Sequence, residues 1–330
     1  MQNRNILIFG GSGFIGSHFF KYFENMTKFN LYNFDIHQEN KFFIKGVKYL
    51  ESDVRSSIKT SINTSPIDII LNLAAKHTTP GHRHEEYFET NVLGAKNVCD
   101  FAVQNGIKTI LFTSSISTYG TREEKKDENS NLMPTDAYGM SKIQAEHTHV
   151  NWQKEDPQNR NLIIIRPSVV FGLGENGNYV RLYKMISKNI FFYPGRKNTI
   201  KASVYVKDLV STSFNIINKT KPGIHLYNIC NNQSPTIEDI CTEMANVIGK
   251  KKPRLIMPIK IMQIISYFIY YFGKMCNLKF NGIHPDRIKK LVISTNISSE
   301  KLFKHKNKFH FTLREALVDW YSECNEEGLY

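Results

Sequence analysis

Three glycines spaced three residues apart near the amino terminus constrain the fold more than any other part of this sequence. Gly10, Gly13 and Gly16 lie in ILIFGGSGFIGSHFF, between an apolar strand-like run and a helical stretch. Glycines let such a turn close and let the backbone approach a pyrophosphate, whose negative charge suits the amino terminus of a helix. The segment therefore predicts a dinucleotide-binding turn that opens a βαβ unit.

An acidic residue ends the second predicted strand, in LYNFDIH. Asp35 lies 19 residues after Gly16, where a carboxylate can accept both hydroxyls of an adenosine ribose and repel a 2′-phosphate. Positions 36 and 37 carry no arginine. The sequence therefore favours NAD over NADP as the dinucleotide.

Apolar strand-like runs alternate with helical stretches through the first half of the chain. The strand-like runs are 6–9, 31–34, 67–73, 109–113 and 162–165, and the helical stretches are 15–23, 87–104 and 138–153. Continuous apolar strands separated by helices indicate a parallel sheet covered on both faces. The predicted fold class is α/β, a Rossmann-type doubly wound parallel sheet with a smaller C-terminal substrate-binding lobe.

The alternation weakens after Arg166 and Pro167, where loops and shorter elements follow. We therefore expect an NAD-binding domain over residues 1–170 and a mainly substrate-binding lobe over 171–330. Segments around 204–230 are expected to return to the first domain. A length of 330 residues is consistent with two domains or with one domain that carries a grafted lobe.

The chain is basic, with 43 Lys and Arg residues against 30 Asp and Glu and a formal net charge of +13. These cations are scattered, and the sequence carries no recognisable nucleic-acid-binding motif, so no nucleic-acid partner is expected. A more specific function of the positive charge is to steer an anionic small molecule into a cleft. Five cysteines lie far apart without a CxxC pair, which favours a reducing cytoplasm.

A second apolar stretch, over residues 259–272, carries Lys260 and is shorter than the roughly 20 residues of a membrane span. No transmembrane segment is therefore expected. Its apolar residues recur at helical spacing and predict a helix whose apolar side faces the core. They are Ile261, Ile264, Ile265, Phe268 and Phe272. Docking onto a membrane surface or a partner stays open because Lys250, Lys251, Lys252 and Arg254 lie just upstream.

A tyrosine and a lysine follow in YGMSK, on the predicted helix over 138–153. Their spacing places Tyr138 and Lys142 on one helix face. A neighbouring ammonium and a positively charged nicotinamide ring favour the phenolate and lower the phenol's pKa below about 10. Such a phenolate takes a proton from a sugar hydroxyl while hydride leaves for the cofactor. Ser115, just past the strand, can hydrogen-bond the same oxygen, which completes the predicted catalytic set.

The motifs together carry a resemblance that runs from Ile6 to about Trp320. They are GGSGFIG, NLAAKH, TNVLGAKNV, FTSSISTYG, YGMSK, IIIRPSVVFG and VYVKDLV. The chain resembles extended short-chain dehydrogenase/reductases of the NAD-dependent nucleotide-sugar epimerase/dehydratase family, of the UDP-glucose 4-epimerase type. The resemblance implies bound NAD, a nucleoside-diphosphate sugar as substrate with a UDP-hexose favoured, and a homodimer.

The resemblance also implies cofactor contacts residue by residue. The glycine turn would hold the pyrophosphate and Asp35 the ribose. Asp53 and Val54 would flank the adenine, and residues 73–75 would line the cofactor cleft. Pro167 and Val169 would bracket the nicotinamide end. The implied cofactor-binding residues are Gly10, Gly13, Phe14, Ile15, Gly16, Asp35, Asp53, Val54, Leu73, Ala74, Ala75, Asn91, Tyr138, Lys142, Pro167 and Val169.

For the substrate, the resemblance implies contacts from Ser115, Asn178, Lys201 and Arg287. Lys201 falls where many relatives carry an arginine for the diphosphate. A lysine there keeps the charge but loses the bidentate geometry of a guanidinium.

Two positions separate the subclasses of this family. Dehydratases carry Asp and Glu directly after the catalytic Ser or Thr, where this chain has Ile116 and Ser117. Without that acid pair we expect an epimerase acting through a transient 4-keto sugar, in surface-polysaccharide precursor synthesis. An NAD(P)H-dependent 4-keto-sugar-nucleotide reductase remains the alternative. Non-catalytic dinucleotide binding and a membrane-docked steroid or lipid dehydrogenase are alternatives of another class.

Three histidines, His77, His82 and His84, cluster in KHTTPGHRHEE. Their spacing does not match a HExxH zinc motif. We expect solvated loop histidines there and no metal.

Overall fold

The computed structural model describes residues 4–24, 26, 28–37, 45–59, 66–79, 81–275 and 292–324. In chain order its strands are β1 (Arg4–Phe9), β2 (Phe29–Asp35), β3 (Val47–Glu51), β4 (Ile69–Asn72), β5 (Thr109–Thr113), β6 (Asn161–Pro167), β7 (Val169–Phe171), β8 (Tyr193–Pro194), β9 (Ser203–Tyr205), β10 (Gly223–Ile229) and β11 (Ile256–Met257). Seven of them form one parallel sheet in the order β3-β2-β1-β4-β5-β6-β10.

Apolar side chains on both faces explain why these runs form buried strands. In β1, Ile6 and Ile8 enter one core, and Leu7 and Phe9 enter the core on the opposite face. The middle residues of strands β4, β5 and β6 alternate in the same way, so these strands carry continuous apolar runs. The prediction of a doubly covered parallel sheet is confirmed.

The helices, in chain order, are α1 (Phe14–Phe23), α2 (His84–Phe88), α3 (Gly94–Gln104), α4 (Ala137–Glu155), α5 (Asn178–Ser187), α6 (Val206–Lys219), α7 (Ile237–Val247), α8 (Ile259–Met275), α9 (Glu300–Lys304) and α10 (Leu313–Glu323). Helices α1 and α6 supply phenylalanines and aliphatic residues to the core that contains Ile6. Helices α3 and α4 cover the opposite face with residues such as Val98 and Trp152. The sheet therefore forms the middle of three layers.

Strand β10 completes the sheet from a late part of the chain. It pairs with β6 in parallel over its whole length, Gly223–Ile229, after α6 has crossed the sheet face. The sheet thus includes residues well beyond the first half of the sequence. The division into a domain over 1–170 and a lobe over 171–330 stays a prediction.

A separate core lies beside the sheet, built from α5, α7, α10 and short strands. Trp320 of α10 is fully buried there, with Phe171, Tyr179 and Met244 around it. Two short parallel pairs, β7 with β9 and β8 with β11, frame this region. Helix α7 begins after Thr236, whose hydroxyl accepts from the Asp239 backbone amide in a capping box.

Helix α8 shows the opposite of the burial expected from its sequence. Ile261, Ile264, Ile265 and Phe268 are 48, 68, 44 and 71 % exposed, whereas Ser266 is buried. The prediction of a core-facing apolar side is therefore wrong, because the helix turns that side outward. The side chain of Phe272 lies outside the part described.

Candidate active site

The carboxyl ends of neighbouring strands bring the predicted site residues to one edge of the sheet. Gly10 follows β1, Asp35 ends β2, Ala74 follows β4, Ser115 follows β5, and Pro167 ends β6. Because the strands are parallel, these ends lie side by side. The strand order reverses direction between β1 and β4, and such a switch point opens the crevice in which ligands bind.

The turn after β1 has no space for a side chain at Gly10, and the first turn of α1 has none at Gly16. Gly10 adopts a φ of +77°, and a Cβ atom there would lie 2.7 Å from the Ala74 nitrogen. A Cβ atom at Gly16 would lie 2.5 Å from the Gly11 Cα atom. Helix α1 begins at Phe14, directly after this turn, so its positive end adjoins it. This cradle fits a pyrophosphate.

Asp35 is fixed beside the glycine turn by two backbone hydrogen bonds. Its Oδ2 accepts from the Ser12 nitrogen at 3.0 Å, and its Oδ1 accepts from the His37 nitrogen at 3.0 Å. A carboxylate offers about four acceptor positions, so each oxygen keeps capacity for a ribose hydroxyl. The half-buried negative charge also opposes a 2′-phosphate.

Two of the residues expected at the adenine end already have partners within the protein. The Arg55 guanidinium binds Asp53 with an Nη2–Oδ2 distance of 2.6 Å, and this hydrogen bond lowers the pKa of the Asp53 carboxyl. Val54 is buried against α3, where Asn97 Nδ2 donates to its carbonyl at 2.7 Å. These contacts fix the loop after β3 against the layer beneath it.

Asn91 links the segment that follows β4 to helix α4. It lies in a π-helical turn, Glu89–Leu93, between α2 and α3. Its Oδ1 accepts from the Lys76 nitrogen at 2.9 Å, while its Nδ2 donates to the Lys76 carbonyl at 3.0 Å and to Ser141 Oγ at 2.8 Å. Asn91 therefore positions the segment that follows Leu73, Ala74 and Ala75 against α4.

Ser115, Tyr138 and Lys142 lie together at the carboxyl end of β5. Ser115 lies close enough to Tyr138 for its side chain to lower the pKa of the phenol, and Lys142 Nζ lies 6.0 Å from the centre of the Tyr138 ring. Lys142 Nζ donates to the Thr113 carbonyl at 2.7 Å. The first turn of α4 is fixed by Asp136, whose Oδ1 accepts from the Gly139 nitrogen at 2.8 Å.

Burial is the largest influence on the pKa values of Tyr138 and Lys142 when the protein groups are taken alone. Burial raises the pKa of the Tyr138 phenol to about 12, although Ser115 offsets part of this rise. Burial also lowers the pKa of Lys142 to about 7, against the attraction of Glu146. These directions belong to the protein groups alone, so the predicted lowering of the phenol's pKa by Lys142 together with a nicotinamide ring stays a prediction.

A buried network behind Lys142 was not predicted from the sequence. Glu146 accepts from Arg166 at 2.8 Å and 2.6 Å, and Ser114 Oγ donates to the same carboxylate. Arg166 Nη1 also donates to Tyr119 at 2.8 Å, and Tyr119 donates to Asn228 at 2.8 Å. The available signal was the spacing of Glu146, one helical turn beyond Lys142 on α4.

The residues expected at the nicotinamide and substrate differ in what they contact. Pro167 and Val169 flank Ser168, whose nitrogen donates to the Ile229 carbonyl at 3.0 Å. Asn178 is exposed at the start of α5 and accepts from Arg181 Nη2 at 2.7 Å. Arg287 lies outside the described residues.

Lys201 is a half-buried cation beside a second, unpredicted one. Its Nζ donates to the Ile293 carbonyl at 2.8 Å, and burial lowers its pKa to about 8. Arg196 donates to Ser294 Oγ at 3.2 Å and to Glu123. That arginine lowers the pKa of Glu123 to about 2. The two cations and one acid leave a net positive charge on this part of the lobe.

The positions that carry acids in dehydratases carry none here. Ile116 and Ser117 open a 3₁₀ turn, Ile116–Tyr119, and Ser115 Oγ accepts from the Ser117 nitrogen at 3.1 Å. Among the described residues, no group of three His, Cys, Asp or Glu side chains could hold a metal ion. His82 pairs with Glu86 and His84 stacks on Phe88.

Comparisons with known proteins agree with this geometry. Residues 6–230 match the model of the NAD dependent epimerase/dehydratase family. The chain is 29% identical to N-acetyl-alpha-D-glucosaminyl-diphospho-ditrans,octacis-undecaprenol 4-epimerase of Escherichia coli O157:H7, covering 96% of this chain and 94% of the relative. It is 26% identical to UDP-glucose 4-epimerase of Vibrio cholerae, covering 82% and 83%.

A crystal structure of UDP-galactose 4-epimerase superposes with a TM-score of 0.74 at 19% identity, over 98% of this chain and 99% of that one. This likeness shows the shared fold. The chain belongs to the NAD dependent epimerase/dehydratase family, because the family model covers more than half of its length. Its cofactor is accordingly NAD, and the glycine cradle and Asp35 are chemically suited to it.

Proposed function

We propose that this protein is an NAD-dependent 4-epimerase of a nucleoside-diphosphate hexose, with a UDP-hexose favoured. The observation that carries the proposal is the Ser115–Tyr138–Lys142 group beside a dinucleotide cradle, with Ile116 and Ser117 where a dehydratase needs acids. A similar protein from Vibrio cholerae is a UDP-glucose 4-epimerase. The pathway would supply precursors for surface polysaccharide.

In this proposal the protein residues move one proton and orient one hydroxyl. Tyr138 takes the proton of the C4 hydroxyl, and Ser115 hydrogen-bonds the same oxygen. Lys142 contributes positive charge that favours the phenolate form of Tyr138. When bound, NAD supplies the carbon that takes up and returns a hydride, together with a positively charged ring. If the hydride returned to the other face of the 4-keto sugar, Tyr138 would give its proton back to the C4 oxygen and C4 would be inverted.

The cofactor and substrate contacts form part of the same proposal. Gly10, Gly13 and Gly16 would hold the pyrophosphate and Asp35 the adenosine ribose. Lys201 would bind the substrate diphosphate, for which a pKa of about 8 leaves it mostly cationic at neutral pH. Arg196, which the sequence did not predict as a substrate contact, adds a second positive charge near Lys201. This charge supports diphosphate binding at Lys201.

Assay of the purified protein with a panel of UDP-hexoses tests the proposal. An epimerase gives two C4-epimeric sugars at equilibrium, with no net change in the absorbance of reduced nicotinamide. Stoichiometric loss of that absorbance with a 4-keto sugar nucleotide would instead identify the 4-ketoreductase alternative. Absence of turnover on every sugar, with NAD bound, would leave the non-catalytic alternative and contradict the proposal.

A lipid-linked substrate is the second candidate. The Escherichia coli relative acts on a sugar joined through a diphosphate to undecaprenol, according to its name. In this chain the exposed apolar helix α8 starts against Gly195. Gly195 and Arg196 are in turn close in sequence to Lys201. Turnover of N-acetylglucosamine on a polyprenyl diphosphate, compared with the UDP-linked sugar, distinguishes the two substrate classes.

A cytoplasmic homodimer completes the proposal. The helical segments 87–104 and 138–153 would pair between subunits, as in the family by analogy. Exposed apolar residues on these segments, Leu93, Val103 and Met140, support this interface. Sedimentation velocity of the purified protein tests it, and a monomer at micromolar concentration would contradict it.

A further inference from the structure

Helix α8 and the strand before it expose a continuous set of large apolar side chains. Leu255 and Ile256 of the preceding segment are 74 and 50 % exposed. On α8 the exposed residues recur at intervals of three and four, which places them on one helix face. They are Ile261, Ile264, Ile265, Tyr267, Phe268 and Tyr271. We call this set, from Leu255 to Tyr271, the α8 surface.

The stretch of sequence that carries the α8 surface has charges of one sign. From Ile248 to Met275 the sequence contains no Asp or Glu. Lys250, Lys251, Lys252 and Arg254 lie just before the apolar set, Lys260 lies at the start of α8, and all five are exposed. Exposed apolar residues beside a run of cations complement a surface that is apolar inside and anionic at its boundary.

The α8 surface is anchored to the lobe next to the candidate diphosphate cations. Strand β11 pairs with β8, and the Gly195 nitrogen donates to the Met257 carbonyl at 2.9 Å. A Cβ atom at Gly195 would lie 2.6 Å from Ile259, so the start of α8 packs closely on this turn. Arg196 follows directly in the sequence. A ligand for the α8 surface would therefore lie near the mouth of the proposed substrate site.

We propose that the α8 surface docks the protein onto an anionic lipid bilayer. The apolar face of α8 enters the boundary between headgroups and acyl chains, and the cations from Lys250 to Lys260 contact lipid phosphates. Helix α8 has 17 residues, and within the described ranges no helix has the length and hydropathy to cross a bilayer. The helix therefore lies along the membrane plane. This docking requires no catalytic activity and is independent of the proposed function.

Co-sedimentation of the full chain with vesicles tests the docking. One set of vesicles contains phosphatidylcholine alone, and the other contains phosphatidylcholine with phosphatidylglycerol. We expect binding to the anionic vesicles at least about tenfold tighter than to the neutral ones. Raising the salt from about 0.1 M to about 1 M should release most of the protein, since the screening length falls from about 10 Å to about 3 Å. Equal partition to both vesicles would overturn the proposal.

A pair of matched variants tests the surface itself. Ile264→Glu places a charge on the α8 surface, whereas Val318→Glu places the same charge at an exposed apolar position of α10. We expect Ile264→Glu to weaken vesicle binding by at least about tenfold and Val318→Glu to leave it unchanged. Both variants should keep the wild-type circular dichroism and melting temperature, because both sites are exposed.

Two further outcomes would show that the α8 surface does not bind a bilayer. Equal vesicle binding by wild type and Ile264→Glu would show that the bilayer does not contact this helix. A change of oligomeric state in Ile264→Glu, measured by sedimentation velocity without any change in vesicle binding, would identify a second copy of the chain as the occupant. Either result overturns the proposal, whatever the sugar assays give.

Discussion

At the scale of single residues, burial and neighbouring side chains set the protonation states of Tyr138 and Lys142. Burial disfavours charge on both groups, so it raises the pKa of the phenol and lowers that of the ammonium. Ser115 offsets part of this effect at the phenol, and Glu146 offsets part of it at the lysine. The pair is therefore strongly sensitive to any added charge, such as that of the oxidised cofactor.

Replacing Tyr138 by phenylalanine removes the proposed base and little else. We expect Tyr138→Phe to lower kcat by about 10²–10⁴-fold, the usual contribution of a positioned general base. NAD content after purification should match that of the wild type. Tyr321→Phe, which removes a phenol from α10, serves as the control. Retention of wild-type turnover by Tyr138→Phe would show that another group takes the proton.

Replacing Asp35 tests the discrimination between dinucleotides. Asp35→Ala should weaken NAD binding and reduce the preference for NAD over NADP, because the repulsion of a 2′-phosphate is removed. Asp100→Ala, at an exposed position of α3, should change neither. The dissociation constants of both dinucleotides can be measured by calorimetry on cofactor-free protein. Equal affinity of the wild type for NAD and NADP would contradict the role given to Asp35.

At the scale of elements, α4 carries both the proposed catalytic groups and the acid that tunes them. Tyr138, Lys142 and Glu146 follow one another at four-residue intervals, and Glu146 is paired with Arg166 of β6 in a buried ion pair. The helix is thereby held at a fixed register against β5 and β6. Any change in that register would move the phenol relative to Ser115.

Neutralising Glu146 should change the pH profile of the enzyme. Glu146→Gln removes the charge that raises the pKa of Lys142, so that pKa should fall. The alkaline limb of kcat/KM should then move by about one pH unit or more toward lower pH. Glu155→Gln, on the exposed end of the same helix, should leave the limb in place. A profile unchanged in Glu146→Gln, with the fold intact, would reduce Glu146 to a purely structural role.

The elements predicted from sequence were those with an uninterrupted local signal. The run Thr109–Thr113 forms β5 with the predicted bounds, and the helix predicted over 138–153 forms α4, Ala137–Glu155. Strand β3, Val47–Glu51, was not predicted because an edge strand needs no apolar run and its sequence VKYLE is mixed. Helix α8 was predicted with the wrong side inward, since periodicity identifies an apolar face but not what covers it.

The sequence predicted those site residues whose role follows from a local steric or charge requirement. Glycines at the turn and an acid at the end of β2 follow from steric and charge requirements that act locally. The Glu146–Arg166–Tyr119 network joins three distant segments, and no local pattern marks such a contact. For the same reason the sequence did not predict that burial raises the pKa of the Tyr138 phenol, because desolvation depends on the whole surroundings of a group.

At the scale of the whole molecule, two buried histidines make stability dependent on pH. Burial lowers the pKa of His149 to about 4 and that of His18 to about 4. His149 stacks on Phe112, its Nδ1 donates to the Ala145 carbonyl at 2.7 Å, and its Nε2 accepts from Asn72 at 3.2 Å. Each folded-state pKa lies below the unfolded value, so their stabilising contribution is complete above about pH 6.5 and is lost as the pH falls toward 4.

The variant His149→Phe isolates this effect. Between pH 7 and pH 5 the wild type should lose about 2 kcal/mol of unfolding free energy through His149, and the variant should not. The difference in unfolding free energy between the two proteins, from urea titrations at each pH, should therefore shrink by that amount. His147→Phe, on the same helix, should show no such trend. A difference independent of pH would mean that His149 is not neutral in the folded protein.

The bonds between Asn228 and the segment near Ser298 have a consequence for how this chain can be divided. Asn228 Nδ2 donates to the Ser298 carbonyl at 3.1 Å, the Cys230 nitrogen donates to Ser299 Oγ at 2.9 Å, and Ala202 donates to Thr295. Residues 6–230 match the family model, yet a recombinant fragment with those limits would leave polar groups at its centre exposed to solvent. Truncation at 230 therefore removes the hydrogen-bond partners of these buried groups. The smallest fragment expected to fold extends past residue 299.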